Sequence, residues 1–128
     1  MILAVALGGA IGAPLRLVID RWITHRAAPG GERSAWPLGT LVVNVLGALA
    51  LGLVAGAARH RGLSDAPTAL LATGFCGALT TFSTVSVEVV RLTQAERWAA
   101  AGVVATANLA MSLAAAAAGL SLAAAGLA

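Results

Sequence analysis

The stretch GFCGALTTFSTVSVEVV, residues 74–90, lies inside a long apolar run. It nevertheless carries Gly74 and Gly77, the hydroxyls of Thr80, Thr81, Ser83, Thr84 and Ser86, and the carboxylate of Glu88. A segment that only had to sit in hydrocarbon would hold none of these. Glycines and β-branched threonines make a weak helix, so the pattern predicts an interruption somewhere over residues 74–81. Within a membrane span, such a break persists only where it is buried in protein or lines a cavity. The reading of the fold therefore turns on whether this run is a span.

Composition says that it is. Of 128 residues, 59% are hydrophobic and 10% charged, against roughly 25% charged in ordinary soluble domains. The mean hydropathy is +0.92. Four apolar runs, about residues 2–23, 37–57, 67–90 and 98–127, each reach the roughly 20 residues that cross a ~30 Å hydrocarbon core. None alternates as the strands of a membrane barrel do. The expectation is an all-α integral membrane protein, one four-helix domain over residues 1–128, with the third helix broken near its middle. The longest connection, residues 24–36, is too short for a soluble domain. The first run lacks the basic start of a signal peptide, is too long, and contains Arg16, so it counts as the first helix.

The net charge of +3 does not indicate nucleic acid, because the arginines are scattered at helix ends and form no basic face. They read better as topology. Arg21, Arg26, Arg33, Arg91 and Arg97 fall on the side of the first and third loops, and Arg59 and Arg61 on the other. Five against two favours the first side in the cytoplasm. Trp22, Trp36 and Trp98 share that side and fit an interfacial belt. Pro29-Gly30-Gly31 marks a turn, Ser64 or Asp65 a cap for the third helix with Pro67 in its first turn, and Thr93-Gln94-Ala95-Glu96 a capping box opening the fourth. The single cysteine, Cys76, excludes an internal disulfide and fits a small buried residue.

Small residues recur every four positions at Gly8 and Gly12 and again at Ala48, Gly52 and Gly56, which lets helices approach closely. Arg16 continues the Gly8–Gly12 face, ~7–8 Å inside Arg21 by helical rise. It either snorkels to the interface or lines a wet vestibule. Glu88 either shares that vestibule or pairs with Arg91 three residues on. Thr40 and Asn44 lie one turn apart, as do Asn108 and Ser112. Both pairs suit interhelical hydrogen bonds, and both suit a polar track. At the break, freed carbonyls can bind a cation and freed N–H groups an anion. Hydroxyls and the electropositive ring edge of Phe82 suit a small, hard anion.

The motifs carry a resemblance. Gly8-Gly9-Ala10-Ile11-Gly12-Ala13-Pro14-Leu15-Arg16, Gly39-Thr40-Leu41-Val42-Val43-Asn44-Val45-Leu46-Gly47 and Gly74-Phe75-Cys76-Gly77-Ala78-Leu79-Thr80-Thr81-Phe82-Ser83-Thr84 occur in order. With Asn108 and Ser112, they resemble the Fluc/CrcB family of fluoride channels over nearly the whole chain. The resemblance implies a dual-pore channel of two antiparallel subunits in the cell (plasma or inner) membrane. Such a channel exports fluoride passively after it has entered as neutral acid. The resemblance also implies a structural Na⁺ held by backbone carbonyls at Gly77 and Thr80. It places Phe82 in contact with fluoride, Asn44, Ser83, Thr84 and Ser112 along the pathway, and Arg16 and Glu88 near the vestibule. Partners are then fluoride, lipid and a second subunit, with no nucleic acid.

One position departs. The family pattern reads Phe-Ser-Thr-Phe, whereas this chain reads Phe82-Ser83-Thr84-Val85. Valine has no electropositive ring edge, so a pair of identical chains lacks one aromatic in each pore. Homodimer and heterodimer both stand. The arginine bias and Val85 favour the heterodimer. The alternatives are a pore-degenerate partner that conducts nothing itself, and a proton-coupled exporter of the small multidrug type. That type resembles its relatives in a deep acidic residue of the first helix, where this chain has only Asp20 near the end. No nucleophile–base set lies within the spans, so no enzyme is expected.

Overall fold

The computed structural model describes residues 1–27 and 36–126. The expected turn at Pro29-Gly30-Gly31, the loop arginine Arg33 and the end of the fourth run at Leu127 lie outside them. The described residues form α1 (Ile2–Ala27), α2 (Leu38–Arg61), α3 (Asp65–Thr68), a π-helical stretch (Ala69–Cys76), α4 (Gly77–Leu79), α5 (Phe82–Gln94) and α6 (Trp98–Ala124). The four middle pieces make up the third span, Asp65–Gln94. The described residues therefore contain four helices long and apolar enough to cross a membrane, of 24 to 30 residues each. They overrun the apolar runs because polar end residues such as Arg26, Arg61 and Gln94 continue the helix towards the interface.

Small residues set the packing. Gly8 and Gly12 are buried on α1 against the third span. A methyl group on Gly8 would strike the Leu70 carbonyl, and one on Gly74 would come within 2.6 Å of the Val5 carbonyl and 3.0 Å of the Gly8 Cα. α2 packs along α6 in the same way. A methyl on Gly52 would run into the Ala116 carbonyl, and one on Gly119 into the Leu49 carbonyl. Close backbone contact takes the place of a hydrophobic driving force, which lipid does not supply. Arg16 continues the Gly8–Gly12 face and is half-buried.

The break is narrower than the sequence suggests. Gly77 is helical (φ −62, ψ −35), and Gly74 lies within the π-helical stretch. Only Thr80 (φ −80, ψ 156) and Thr81 (φ −150, ψ 116) are extended. The Thr80 N–H and hydroxyl both donate to the Cys76 carbonyl, at 3.0 and 3.1 Å, closing the helix there. The glycines thus do not unwind the span; Gly74 lets α1 approach.

Two capping expectations change as well. Ser64 is the N-cap of α3, but its hydroxyl makes no cap bond, and its carbonyl instead accepts from the Thr68 N–H and hydroxyl at 3.3 and 3.0 Å. Thr93 does not open the fourth helix. It ends α5, its hydroxyl donating back to Val89 and Val90 carbonyls at 3.1 and 2.8 Å. Glu96 takes a positive φ of 58, and α6 begins at Trp98. The box residues close one helix before the next starts. Trp22, Trp36 and Trp98 are all exposed, with the Arg26 guanidinium 4.1 Å from the Trp22 ring centroid. That suits an interfacial belt better than a core.

Gly52→Ala should lower stability in detergent by about 1–3 kcal/mol, because the added methyl meets backbone that can move only with the helix. Gly102→Ala, where nothing lies within 4 Å, should be neutral or slightly stabilising. Thermal unfolding of both variants checks the contrast, and equal midpoints would reject backbone contact as the packing device.

Candidate functional site

The site starts from Asn44 on α2. Its Oδ1 accepts the Thr81 N–H at 2.7 Å, and its Nδ2 donates to the Thr81 carbonyl at 3.1 Å. The second Nδ2 hydrogen goes to Asn108 Oδ1 at 3.0 Å, and Asn108 Nδ2 donates to the Val104 carbonyl at 3.1 Å. One side-chain amide thus satisfies both peptide groups of the extended residue. Gly47, three residues further along α2, makes room for the Thr80 side chain, since a Cβ there would collide with Thr80 Cγ2. Thr81 is then an N-cap for α5, its hydroxyl accepting from the Thr84 N–H at 3.2 Å. The same hydroxyl lies 3.2 Å from Ser83 Oγ and 3.0 Å from Thr84 Oγ1.

These bonds take two N–H groups away from the helical ladder. The Thr81 N–H turns to Asn44, so the Gly77 carbonyl loses its helical partner. Thr80 is extended, which takes its carbonyl out of the helical ladder, and the Thr84 N–H turns to the Thr81 hydroxyl. Carbonyl oxygens are hard donors suited to a hard cation. Across the break, the N-terminus of α5 presents the positive end of a helix dipole and the N–H groups of Phe82 and Ser83. The break therefore carries a cation-favouring edge and an anion-favouring edge side by side.

Two grooves flank it. A largely apolar one of about 640 Å³ is lined by Asn44, Thr80, Phe82, Val85, Asn108 and Ser112, among others. A polar one of about 530 Å³ is lined by Asp20, Thr40, Thr84, Glu88, Arg91 and Arg97, among others. The hydrogen-bonded pair of Thr81 on the first and Thr84 on the second joins them.

The fold brings Asn44, Phe82, Ser112 and Thr80 to one groove and Thr84 and Glu88 to the other. Ser83 is exposed beside Thr81, and Gly77 is exposed with no atom nearer than 3.9 Å to a notional Cβ. Glu88 pairs with Arg91 at 3.0 Å. Arg16 lines neither groove. Phe82 is 86% exposed, whereas Val85 is buried. The sequence reading counted Thr81 among the hydroxyls but gave it no clamped, capping role, and it left the Asn44–Asn108 bond unassigned. A threonine preceding a helix start was the available signal for the first. The second needed the packing of α2 on α6.

The family model for CrcB-like protein, Camphor Resistance (CrcB), matches residues 3–120. The chain is 45% identical over 113 residues to the fluoride-specific ion channel FluC 1 of Streptomyces avermitilis, spanning 88% of this chain and 84% of that one. Against FluC 2 of Rhodococcus jostii it is 44% identical over 115 residues, 90% and 91% of the two chains. Against FluC 1 of Leifsonia xyli it is 46% identical over 101 residues, 79% and 70% of the two. By the reach of that family model and by relatives of this similarity, the chain belongs to the CrcB-like family.

Proposed function

We propose that this chain is a fluoride channel subunit of the cell membrane, passing the ion passively down its gradient. The observation that carries the reading is the clamped break at Thr80–Thr81. It sets the N-terminus of α5 and the hydroxyls of Thr81, Ser83 and Thr84 between two grooves, beside Phe82. A small anion must have its hydration replaced by donors at close range, and this is such a set. Relatives that bear the name of fluoride-specific channels support the same ion. Asn44, Phe82, Ser83, Thr84 and Ser112 then belong to the pathway, and Arg16 and Glu88 to its approaches.

The pore needs a second chain. Phe82 stands 86% exposed at the edge of an open, mostly apolar groove, which suits cover by an antiparallel subunit. A structural Na⁺ fits the orphaned carbonyls of Gly77 and Thr80, but one chain offers too few oxygens to enclose a cation. Two breaks meeting at a dimer centre supply the rest. When bound, the ion neutralises the carbonyl edges of both. Val85 supports a second reading, in which this chain completes the pore of a different subunit and conducts poorly by itself.

Fluoride and chloride efflux from liposomes tests the ion. Fluoride should leave while chloride stays trapped, both for this chain alone and with a genomically adjacent homologue where one exists. Equal rates for the two ions would reject the reading.

Gly77→Val tests the cation centre. A side chain there meets open space within the protomer, so the monomer should fold while dimerisation and efflux are lost. Thr80→Ser, which keeps the carbonyl, should be mild. An active, dimeric Gly77→Val protein would count against the site.

Orientation and Val85 are tested together. Cysteines placed in the first and second loops and labelled in intact cells should report mainly one orientation. Val85→Phe should raise efflux several-fold by restoring a ring edge in the groove. An even split of orientations, with full efflux by the unaltered chain, would establish the plain homodimer instead.

A further inference from the structure

Orientation and permeation make opposite demands on one end of this bundle. Arg21 and Arg26 lie towards the end of α1, Arg91 in the last turn of α5 and Arg97 just before α6. Arginines gathered at one end serve insertion and orientation. The polar groove opens among them, lined by Arg91 and Arg97. A cleft with low-dielectric walls focuses the field of its charges. Arginines alone would therefore make this mouth a collector of any anion.

Two carboxylates line the same groove, and they are placed differently. Glu88 pairs with Arg91 at 3.0 Å, and the two charges largely cancel. Asp20 has no ion pair and no side-chain hydrogen bond among the described residues. It is half-buried, whereas Arg97 is exposed, so water screens the arginine more than the carboxylate. The seat of Asp20 is built where α1 meets α2. A methyl group on Gly39 would strike the Asp20 carboxylate and would lie 2.6 Å from the Asp20 carbonyl and 2.9 Å from Thr24 Oγ1. That close contact calls for a small side chain, not a charged one. Partial burial of an unpaired charge costs free energy, and packing gives no return for it.

We propose that Asp20 sets the potential of this groove. It offsets the arginines that orientation requires and keeps the mouth from accumulating anions of every kind. It acts through its field, ahead of the donors at the break, and binds no ion itself. The proposal rests on the channel reading, but the potential is measurable without conduction.

Gln94 is exposed and lines the groove, and the native Cys76 is 1% exposed, so a Gln94→Cys chain reacts at one thiol. In lipid nanodiscs, its modification is timed with an anionic (sulfonatoethyl) and a cationic (trimethylammonioethyl) methanethiosulfonate. Adding Asp20→Asn should speed the first and slow the second about 2-fold each, the effect of one unit charge at ~10 Å in water. The ratio of the two rates then rises about 4-fold at ~10 mM salt, and the change fades at ~1 M, where the Debye length is ~3 Å. Asp20→Ser should match it. Asp65→Asn removes an equal charge at the opposite end of the third span and should leave the ratio alone. A packing role would move both reagents in the same direction at every salt concentration. That result, or an unchanged ratio, would overturn the proposal. Fluoride efflux from liposomes should also rise about 2-fold with Asp20→Asn at low salt, by the same Coulomb term. Unchanged or slower efflux beside a raised ratio would reject the role in ion entry. A raised ratio where the unaltered chain passes no fluoride would support the potential assigned to Asp20 and reject the channel reading alone.

Discussion

A peptide group released from a helix inside a membrane must find a partner within the protein, because hydrocarbon offers none and each unsatisfied group costs several kcal/mol. Asn44 meets that requirement for both sides of Thr81 with one side-chain amide. The clamp makes the break possible where it occurs. Asn44 and Gly47 lie on one face of α2, the first binding Thr81 and the second giving way to Thr80. Holding that face at the right height is the task of the close packing between α2 and α6.

The remaining features follow from the clamp. Removing the Thr81 N–H from its helix strips a partner from the Gly77 carbonyl. The extended backbone of Thr80 takes its own carbonyl out of the ladder. The span is thereby split into a carbonyl end and an N–H end whose dipoles meet at two residues. A continuous helix would have cancelled these ends internally. Thr81 joins the two halves chemically as well, since its backbone holds the amide pair and its hydroxyl reaches Ser83 and Thr84.

Much of this was legible in the sequence because the membrane constrains composition so strongly. Apolar runs of about 20 residues have one economical reading, and four-residue spacing of glycine has another. Both gave the helices and their packing faces. The hydroxyl cluster around Thr81 falls at the break that the structure shows. The exact seat of the break was not legible. Local propensity gave the range 74–81 without choosing between its glycines and its threonines; Gly74 and Gly77 remain in π-helical or helical backbone, and the bonds that hold Thr81 extended come from Asn44, 37 residues away in sequence. The fourth-helix start was misread for a related reason. Thr93-Gln94-Ala95-Glu96 has the composition of a capping box, yet Thr93 bonds back into α5, and the positive φ of Glu96 turns the chain.

Charge on the polar groove bears on how an anion is chosen. Asp20 and Glu88 line it together with Arg91 and Arg97, two acids against two bases, and Glu88 already pairs with Arg91. Exposed pairs of this kind are worth little and are screened by salt. Of the other arginines on that side, Arg26 stacks on Trp22 within the aromatic belt. Paired or stacked in this way, Arg26 and Arg91 add little to a positive funnel. A net field would in any case draw chloride as readily as fluoride. Short-range donors of fixed geometry can discriminate where a net field cannot, and the fold holds the amides of Asn44 and Asn108 and the hydroxyls of Thr81 and Thr84 in fixed hydrogen bonds.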